Sequence, residues 1–134
     1  FMKPALLFAL LFAFVCGTIE TFAAQPEQRQ TVQINKQKKF SRSKLTVKFV
    51  ALLEDSRCPQ DVNCIHAGNA RIRIEVTGSR GKEIFEVNTT LGPKGASFEG
   101  YAINLIELTP APRTNVRINK NGYRATFSVT RLTR

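Results

Sequence analysis

Apolar residues recur at every second position in several stretches of this chain, and this period limits its possible folds more than any other feature. The two longest series are Leu45, Val47, Phe49, Ala51, Leu53 and Ile72, Ile74, Val76. Successive side chains of a strand point to opposite faces, so each series predicts a strand with one inward face. Beyond residue 23, no stretch of about ten residues shows the 3.6-residue period of an amphipathic helix. The chain is therefore predicted to be all-β.

Shorter or less regular apolar stretches predict the remaining strands. Alternation at 32–34, 85–87 and 123–129 predicts three, and the more uniformly apolar 101–108 predicts one that is buried on both faces.

Residues typical of turns separate these stretches. They cluster at 78–81, 92–95, 110–112 and 119–122. Asn121-Gly122 ahead of an alternating strand favours a hairpin, and 116–118 is its predicted partner strand. About seven short strands with turns at this spacing predict a single antiparallel β-sandwich domain of immunoglobulin-like architecture.

The first residues have the layout of a secretory signal peptide. Lys3 precedes an apolar run at 5–15, and small residues follow at Thr21 and Ala23. We expect residues 1–23 to be the signal peptide, residues 24–30 a flexible polar arm, and residues 31–134 the sandwich domain. The apolar run is shorter than the roughly 20 residues that span a bilayer, so we expect an exported chain, periplasmic or secreted, whose mature form has no transmembrane segment.

The formal net charge is +10. Lys3 and Glu20 of the predicted signal peptide cancel, so the mature chain would keep this excess. It favours an anionic envelope component or an acidic protein as partner. No run of more than two basic residues occurs, and no aromatic residues are interleaved as stacking platforms, which disfavours nucleic acid.

A short cysteine loop lies between the two longest predicted strands. Cys58 and Cys64 are the only cysteines beyond the predicted signal peptide, and in an oxidising compartment they should form a disulfide. Closing so short a loop would stabilise the fold by about 2 kcal/mol in the chain-entropy treatment. Gly68 is expected to take a positive φ where the chain enters the next strand.

The charged residues of this loop predict a structural network. Glu54, Asp55 and Asp61 could feed a calcium site, but their spacing differs from the helix-loop-helix pattern. Arg57 lies among them, and arginine pairs readily with carboxylates. The sequence therefore favours a carboxylate and arginine network that ties the loop to a strand end.

The loop and the charge lead to several functional hypotheses. The first is a non-catalytic binding or envelope-accessory domain, with no enzyme activity, no cofactor and no metal. Its candidate contact residues are Arg57, His66, Asn69, Arg71 and Arg73. The second is a metal-binding or redox periplasmic protein that uses Cys58, Cys64 and His66, although the cysteine spacing is wider than that of usual zinc or redox pairs. The third is an inhibitor of a secreted enzyme.

The loop also resembles that of a group of small exported bacterial proteins of uncharacterised function. The residues that carry the resemblance are Asp55-Ser56-Arg57-Cys58-Pro59, Cys64 and Ala67-Gly68. In that group the arrangement is D-S-R-C-P, four to five residues, then C-x-W-A-G. This chain has His66 where the group has tryptophan. The resemblance implies an exported β domain and no particular activity.

Overall fold

The computed structural model describes residues 26–133, which form two packed four-stranded sheets. The strands are β1 (Gln28–Gln33), β2 (Gln37–Phe40), β3 (Leu45–Asp55), β4 (Ala70–Gly78), β5 (Gly81–Asn88), β6 (Gly95–Phe98), β7 (Tyr101–Thr109) and β8 (Arg124–Arg131). The sheet orders are β1-β8-β7-β6 and β2-β3-β4-β5, and every pairing is antiparallel. The predicted all-β sandwich is confirmed.

The strand count is eight rather than about seven, because β2 and β6 are only four residues long and too short to show alternation. The predicted signal peptide, residues 1–23, and the first two residues of the predicted arm lie outside the described residues. Within residues 26–133, no helix is long and apolar enough to cross a membrane.

The core lies between the two sheets and contains the alternating residues. In β4, Ile72, Ile74 and Val76 are all 0 % exposed, while Arg73 and Glu75 between them point outward. Phe49 of β3 and Phe127 of β8 are the largest contributions to the core from the middle of the two sheets. Fully burying a side chain of this size contributes about 1.5–3 kcal/mol. Most residues of the buried core belong to the stretches in which apolar residues alternate.

Strand β3 departs from the predicted alternation beyond Phe49. The β3–β4 register shifts between Phe49 and Ala51 and again between Leu52 and Glu54. Each shift inserts an extra residue and changes which face the following side chains occupy. As a result Leu52 packs against the core, whereas Leu53 had been expected to do so.

Strand β7 is not buried on both faces, so that prediction is wrong. Ile103 and Leu105 face the core, but Ile106 is 45 % exposed. Among residues 26–133, no further element covers the outer face of this sheet. A register shift between Leu105 and Glu107 lets Leu108 return to the core.

The start of β1 and the segment 116–118 also differ from the sequence prediction. Strand β1 begins at Gln28, so residues 28–30 of the predicted arm are strand, held by backbone pairing to β8 even though their side chains are polar. Residues 116–118 form no strand. Because β8 already pairs with β1 on one side and with β7 on the other, it has no free edge for a third strand. The turn at Asn119 to Gly122 does form, with a backbone hydrogen bond of 2.9 Å.

Candidate functional site

Three loops meet at one end of the sandwich, which we call the loop end. They are the disulfide loop (56–69), the β5–β6 loop (89–94) and the β7–β8 loop (110–123). Hydrogen bonds join the disulfide loop to both others. The side chain of Asn69 accepts one from the β5–β6 loop, and that of Asp61 accepts one from the β7–β8 loop. The loop end is therefore one connected surface.

The disulfide loop continues the β3–β4 hairpin beyond the sheet. The Ser56 amide donates to the Asn69 carbonyl at 2.7 Å, and the Cys58 amide donates to the Ala67 carbonyl at 2.9 Å. The predicted disulfide joins Cys58 and Cys64. Gly68 has the predicted positive φ, 69°. A Cβ there would collide with the Ser56 carbonyl oxygen, so both the backbone angle and the close approach of the two chains require glycine.

Arg57 fixes the disulfide loop to β3 and to the end of β7. Its guanidinium makes two hydrogen bonds of 2.8 Å to the two carboxylate oxygens of Asp55. It also donates to the Leu108 carbonyl at 2.6 Å and to the Pro110 carbonyl at 2.9 Å. The side chains of Arg57 and Asp55 are each only 12 % exposed. The predicted carboxylate and arginine network thus exists between these two residues, and the guanidinium of Arg57 faces inward rather than toward a partner.

The environment of this pair shifts two pKa values. Burial would raise the pKa of Asp55, but the hydrogen bonds and positive charge of Arg57 outweigh it and lower that pKa. The Tyr123 hydroxyl donates to Oδ2 of Asp55, which also accepts from Arg57, at 3.1 Å. Burial, together with the negative charge of Asp55, raises the pKa of Tyr123. Asp55 is therefore held ionised as the centre of a structural network.

Asp61 fastens the tip of the disulfide loop to the β7–β8 loop. Its carboxylate accepts a hydrogen bond from the Thr114 amide at 2.9 Å and another from the Thr114 hydroxyl at 3.2 Å. These contacts, the amide first, lower the pKa of Asp61. A backbone bond of 2.9 Å from Gln60 to the Pro112 carbonyl runs beside them. The disulfide loop is thus held at its tip as well as at its base.

Asn69 is buried, so its predicted role as a contact residue is not supported by its position. It is 7 % exposed. Its side-chain nitrogen Nδ2 donates to the Asn88 side chain at 2.9 Å. Its side-chain oxygen Oδ1 accepts from the backbone amides of Thr90 and Leu91 at 3.0 and 3.1 Å. Asn69 therefore organises the β5–β6 loop. The sequence gives no signal of this role, because the partners lie about twenty positions away.

Arg71 and Arg73 share one outer face of β4, as predicted, but they also share a carboxylate. Glu86 of β5 lies 3.6 Å from Arg71 and 3.3 Å from Arg73. Their side chains are 44 % and 41 % exposed. The expected positive stripe is thus partly neutralised on its own face.

Each of the three loops of the loop end exposes at least one large apolar side chain, which the sequence prediction missed. Ile65 is 96 % exposed, and Val62 of the same loop is 45 % exposed. In the neighbouring loops Leu91 is 64 % and Val116 is 60 % exposed. His66 lies beside Ile65 and is exposed. The available signal was the pair Val62 and Ile65 placed within the disulfide loop, outside any alternating strand.

Cys58 and Cys64 are joined to each other, so in this oxidation state neither offers a thiolate. In the part of the chain that the structure describes, no three histidine, cysteine or acidic side chains are grouped to hold a metal ion. Comparisons with protein-family models, with curated proteins and with solved structures find no match to this chain. The resemblance to the exported D-S-R-C-P proteins stays a prediction.

Proposed function

We propose that this chain is an exported, non-catalytic binding domain that contacts its partner with the loop end. The observation that supports the proposal most is the exposure of Ile65, 96 %, on a loop closed by a disulfide. A disulfide fits an oxidising compartment outside the cytoplasm. Exposed apolar side chains that cluster at one surface are typical of an interaction site.

Rigidity makes these apolar residues useful for binding. The disulfide, the Arg57 network and the Asp61 contacts already order the loop before a partner arrives. Little conformational entropy is then lost on binding, so more of the contact free energy is retained as affinity. Burying one isoleucine against a partner contributes about 1.5–3 kcal/mol. Val62 and Val116 enlarge the same apolar surface.

The carboxylates of Asp55, at the end of β3, and of Asp61, in the disulfide loop, support a binding role over a catalytic one. Asp55 is paired with Arg57, and Asp61 accepts hydrogen bonds from Thr114. A general base or nucleophile needs a reactive group directed at a substrate, with a second group to orient it. These carboxylates instead hold loops together.

A pair of matched variants tests the proposal. Ile65→Ser removes the exposed side chain at the loop tip, and Ile84→Ser removes one that is 58 % exposed on the outer face of β5. The oxidised mature protein is incubated with the envelope fraction of cells that produce it, and the bound share is measured after sedimentation. We expect Ile65→Ser to weaken binding about tenfold or more, as the loss of 1.4 kcal/mol or above implies, and Ile84→Ser to leave it unchanged.

Equal binding by both variants would refute the loop end as the contact surface. Thermal unfolding of both proteins provides the control, because substitutions at exposed positions should change stability by no more than about 0.5 kcal/mol.

A further inference from the structure

A second charged surface borders the β7–β8 loop, on the side of the sandwich where β1 and β2 form the edges of the two sheets. From residue 28 to residue 53 every charged side chain is a lysine or an arginine. These residues are Arg29, Lys36, Lys38, Lys39, Arg42, Lys44 and Lys48. The first acidic residue after Glu27 is Glu54. Nearly a fifth of the chain thus contributes only positive charge to this side.

An open cleft of about 290 Å³ lies beside β1 and β2 on this side. Its lining consists of Thr31, Gln33, Lys36, Gln37, Lys38 and Arg124. Three of these are cations, the other three carry hydroxyl or amide groups, and no carboxylate lines the cleft. We call it the basic cleft.

The cations of the basic cleft are not neutralised by nearby carboxylates. Among residues 26–133, no ion pair within 4.0 Å involves Lys36, Lys38 or Arg124. Arg71 and Arg73, in contrast, share Glu86. A concave surface lined by charges of one sign concentrates the electric field and attracts counterions more strongly than a flat surface does.

The strands direct these side chains from two sides. Lys38 pairs with Val47 in the β2–β3 register, so it lies on the core-facing side of β2 at the open edge of the sandwich. Arg124 lies opposite Gln33 in the β1–β8 register. Gln33 is oriented by a 3.0 Å hydrogen bond to the Asn121 carbonyl. Charged groups from both sheets thus meet the amide of Gln33, which the backbone holds in place.

We propose that the basic cleft binds a linear anionic polysaccharide. Lysine and arginine bind carboxylate or sulfate groups, and arginine does so with two parallel hydrogen bonds. The hydroxyl of Thr31 and the amides of Gln33 and Gln37 suit the sugar hydroxyls between the charges. No aromatic side chain lines the cleft to stack on a nucleobase, and a flat membrane surface does not enter a concave cleft. The proposal uses different residues from the loop end and does not depend on the function proposed above.

The test compares two double variants with equal changes of net charge. Lys38→Gln with Arg124→Gln alters the basic cleft, and Arg80→Gln with Arg131→Gln alters exposed positions outside both the cleft and the loop end. Binding of the oxidised mature protein to fluorescent dextran sulfate is measured by anisotropy at several salt concentrations, with uncharged dextran as the blank. We expect the cleft variant to lose about tenfold in affinity, which is 1.4 kcal/mol. The control variant should lose no more than about twofold, since exposed charges outside the site are screened by salt.

Three results would overturn the proposal. Equal losses in both variants would mean that net charge alone attracts the polymer. Tighter binding of anionic vesicles or of single-stranded DNA than of dextran sulfate, with the same loss in the cleft variant, would assign the cleft to another class of partner. Unchanged affinity together with dimerisation of the cleft variant would make Lys38 a charge that only protects the β2 edge from pairing.

The experiment also separates this proposal from the proposed function. Ile65→Ser should bind dextran sulfate as the unmodified protein does, because Ile65 does not line the basic cleft. Conversely, loss of dextran sulfate binding by the cleft variant has no bearing on whether the loop end contacts the envelope fraction.

Discussion

Replacing Arg57 with methionine should lower the free energy of unfolding of this domain more than any other single change to a charged residue at the loop end. The substitution keeps much of the side-chain volume and removes the guanidinium. Asp55, 12 % exposed, would keep the Tyr123 hydroxyl and the backbone amide of residue 57 as partners, and the carbonyls of Leu108 and Pro110 would lose the donor that Arg57 provides. Breaking a buried ion pair from one side costs about 3–5 kcal/mol. Because some solvent reaches this pair, we expect a loss near the lower limit, about 3 kcal/mol at pH 7.

The pH dependence of this loss follows from the pKa of Asp55. In the unmodified protein that pKa lies below its unfolded value of about 3.9. The ion pair therefore stabilises the fold above about pH 4, and this contribution disappears as the pH falls through the lowered pKa. Without the guanidinium, burial, which is the largest influence and raises the pKa of Asp55, would be opposed only by the hydrogen bonds from the backbone amide of residue 57 and from the Tyr123 hydroxyl, so this pKa should rise. The variant would then recover stability as its buried carboxylate becomes protonated, so the difference between the two proteins should shrink between pH 7 and pH 3.

Urea unfolding followed by circular dichroism, at pH 7 and at pH 3, measures both effects. Arg73→Met is the matched control, since the Arg73–Glu86 pair is 41 % and 43 % exposed and should contribute less than about 1 kcal/mol. A loss below about 1 kcal/mol in Arg57→Met at pH 7, or a loss that stays constant down to pH 3, would refute the assigned role of the guanidinium.

Three further substitutions test the construction of the loop end by the same unfolding measurement. Gly68→Ala should cost at least about 3 kcal/mol, because it combines a positive φ with a backbone collision; Gly100→Ala, with a positive φ but open space, should cost about 1 kcal/mol, and equal costs would rule out the collision. Replacing Cys58 and Cys64 together with serine should cost about 2 kcal/mol, and no loss would mean that the disulfide does not constrain the unfolded chain. Asn69→Leu should cost about 2–3 kcal/mol and speed amide hydrogen exchange in the β5–β6 loop, whereas unchanged exchange would show that Asn69 does not organise it.

Much of the fold was predictable because burial on one face of a strand leaves a period of two in the sequence. Strand β4 shows the rule directly, with Ile72, Ile74 and Val76 inward and charged residues between them. The bulges of β3 were not predictable. An extra residue changes the face of the sheet on which the later side chains lie, but the amino-acid composition of the strand does not reveal it. The missing strand at 116–118 has a different cause. Its local pattern suits a strand, but both edges of β8 are occupied, and that is a property of the whole sheet.

The candidate site was harder to predict because polar residues serve both structure and contact. Arg57 and Asn69 are polar residues in a loop, which favoured contact with a partner. Their hydrogen-bond partners come from β7 and from the β5–β6 loop, segments that only the folded chain brings together. A buried polar group needs such partners, and sequence distance gives no indication of them. Ile65 was missed for the opposite reason, since an isoleucine is expected to be inside.

The two proposed contact surfaces use their charged side chains differently, and the difference follows from how the loop end is built. Asp55, Arg57 and Asp61 are used to hold the disulfide loop in place, so the loop directs mainly Ile65 and Val62 outward. The cations of the basic cleft are not used to hold loops in place. Attraction between exposed charges weakens with salt, whereas apolar contact does not depend on charge. Binding through the basic cleft should therefore fall steeply as salt rises, and binding through the loop end should persist.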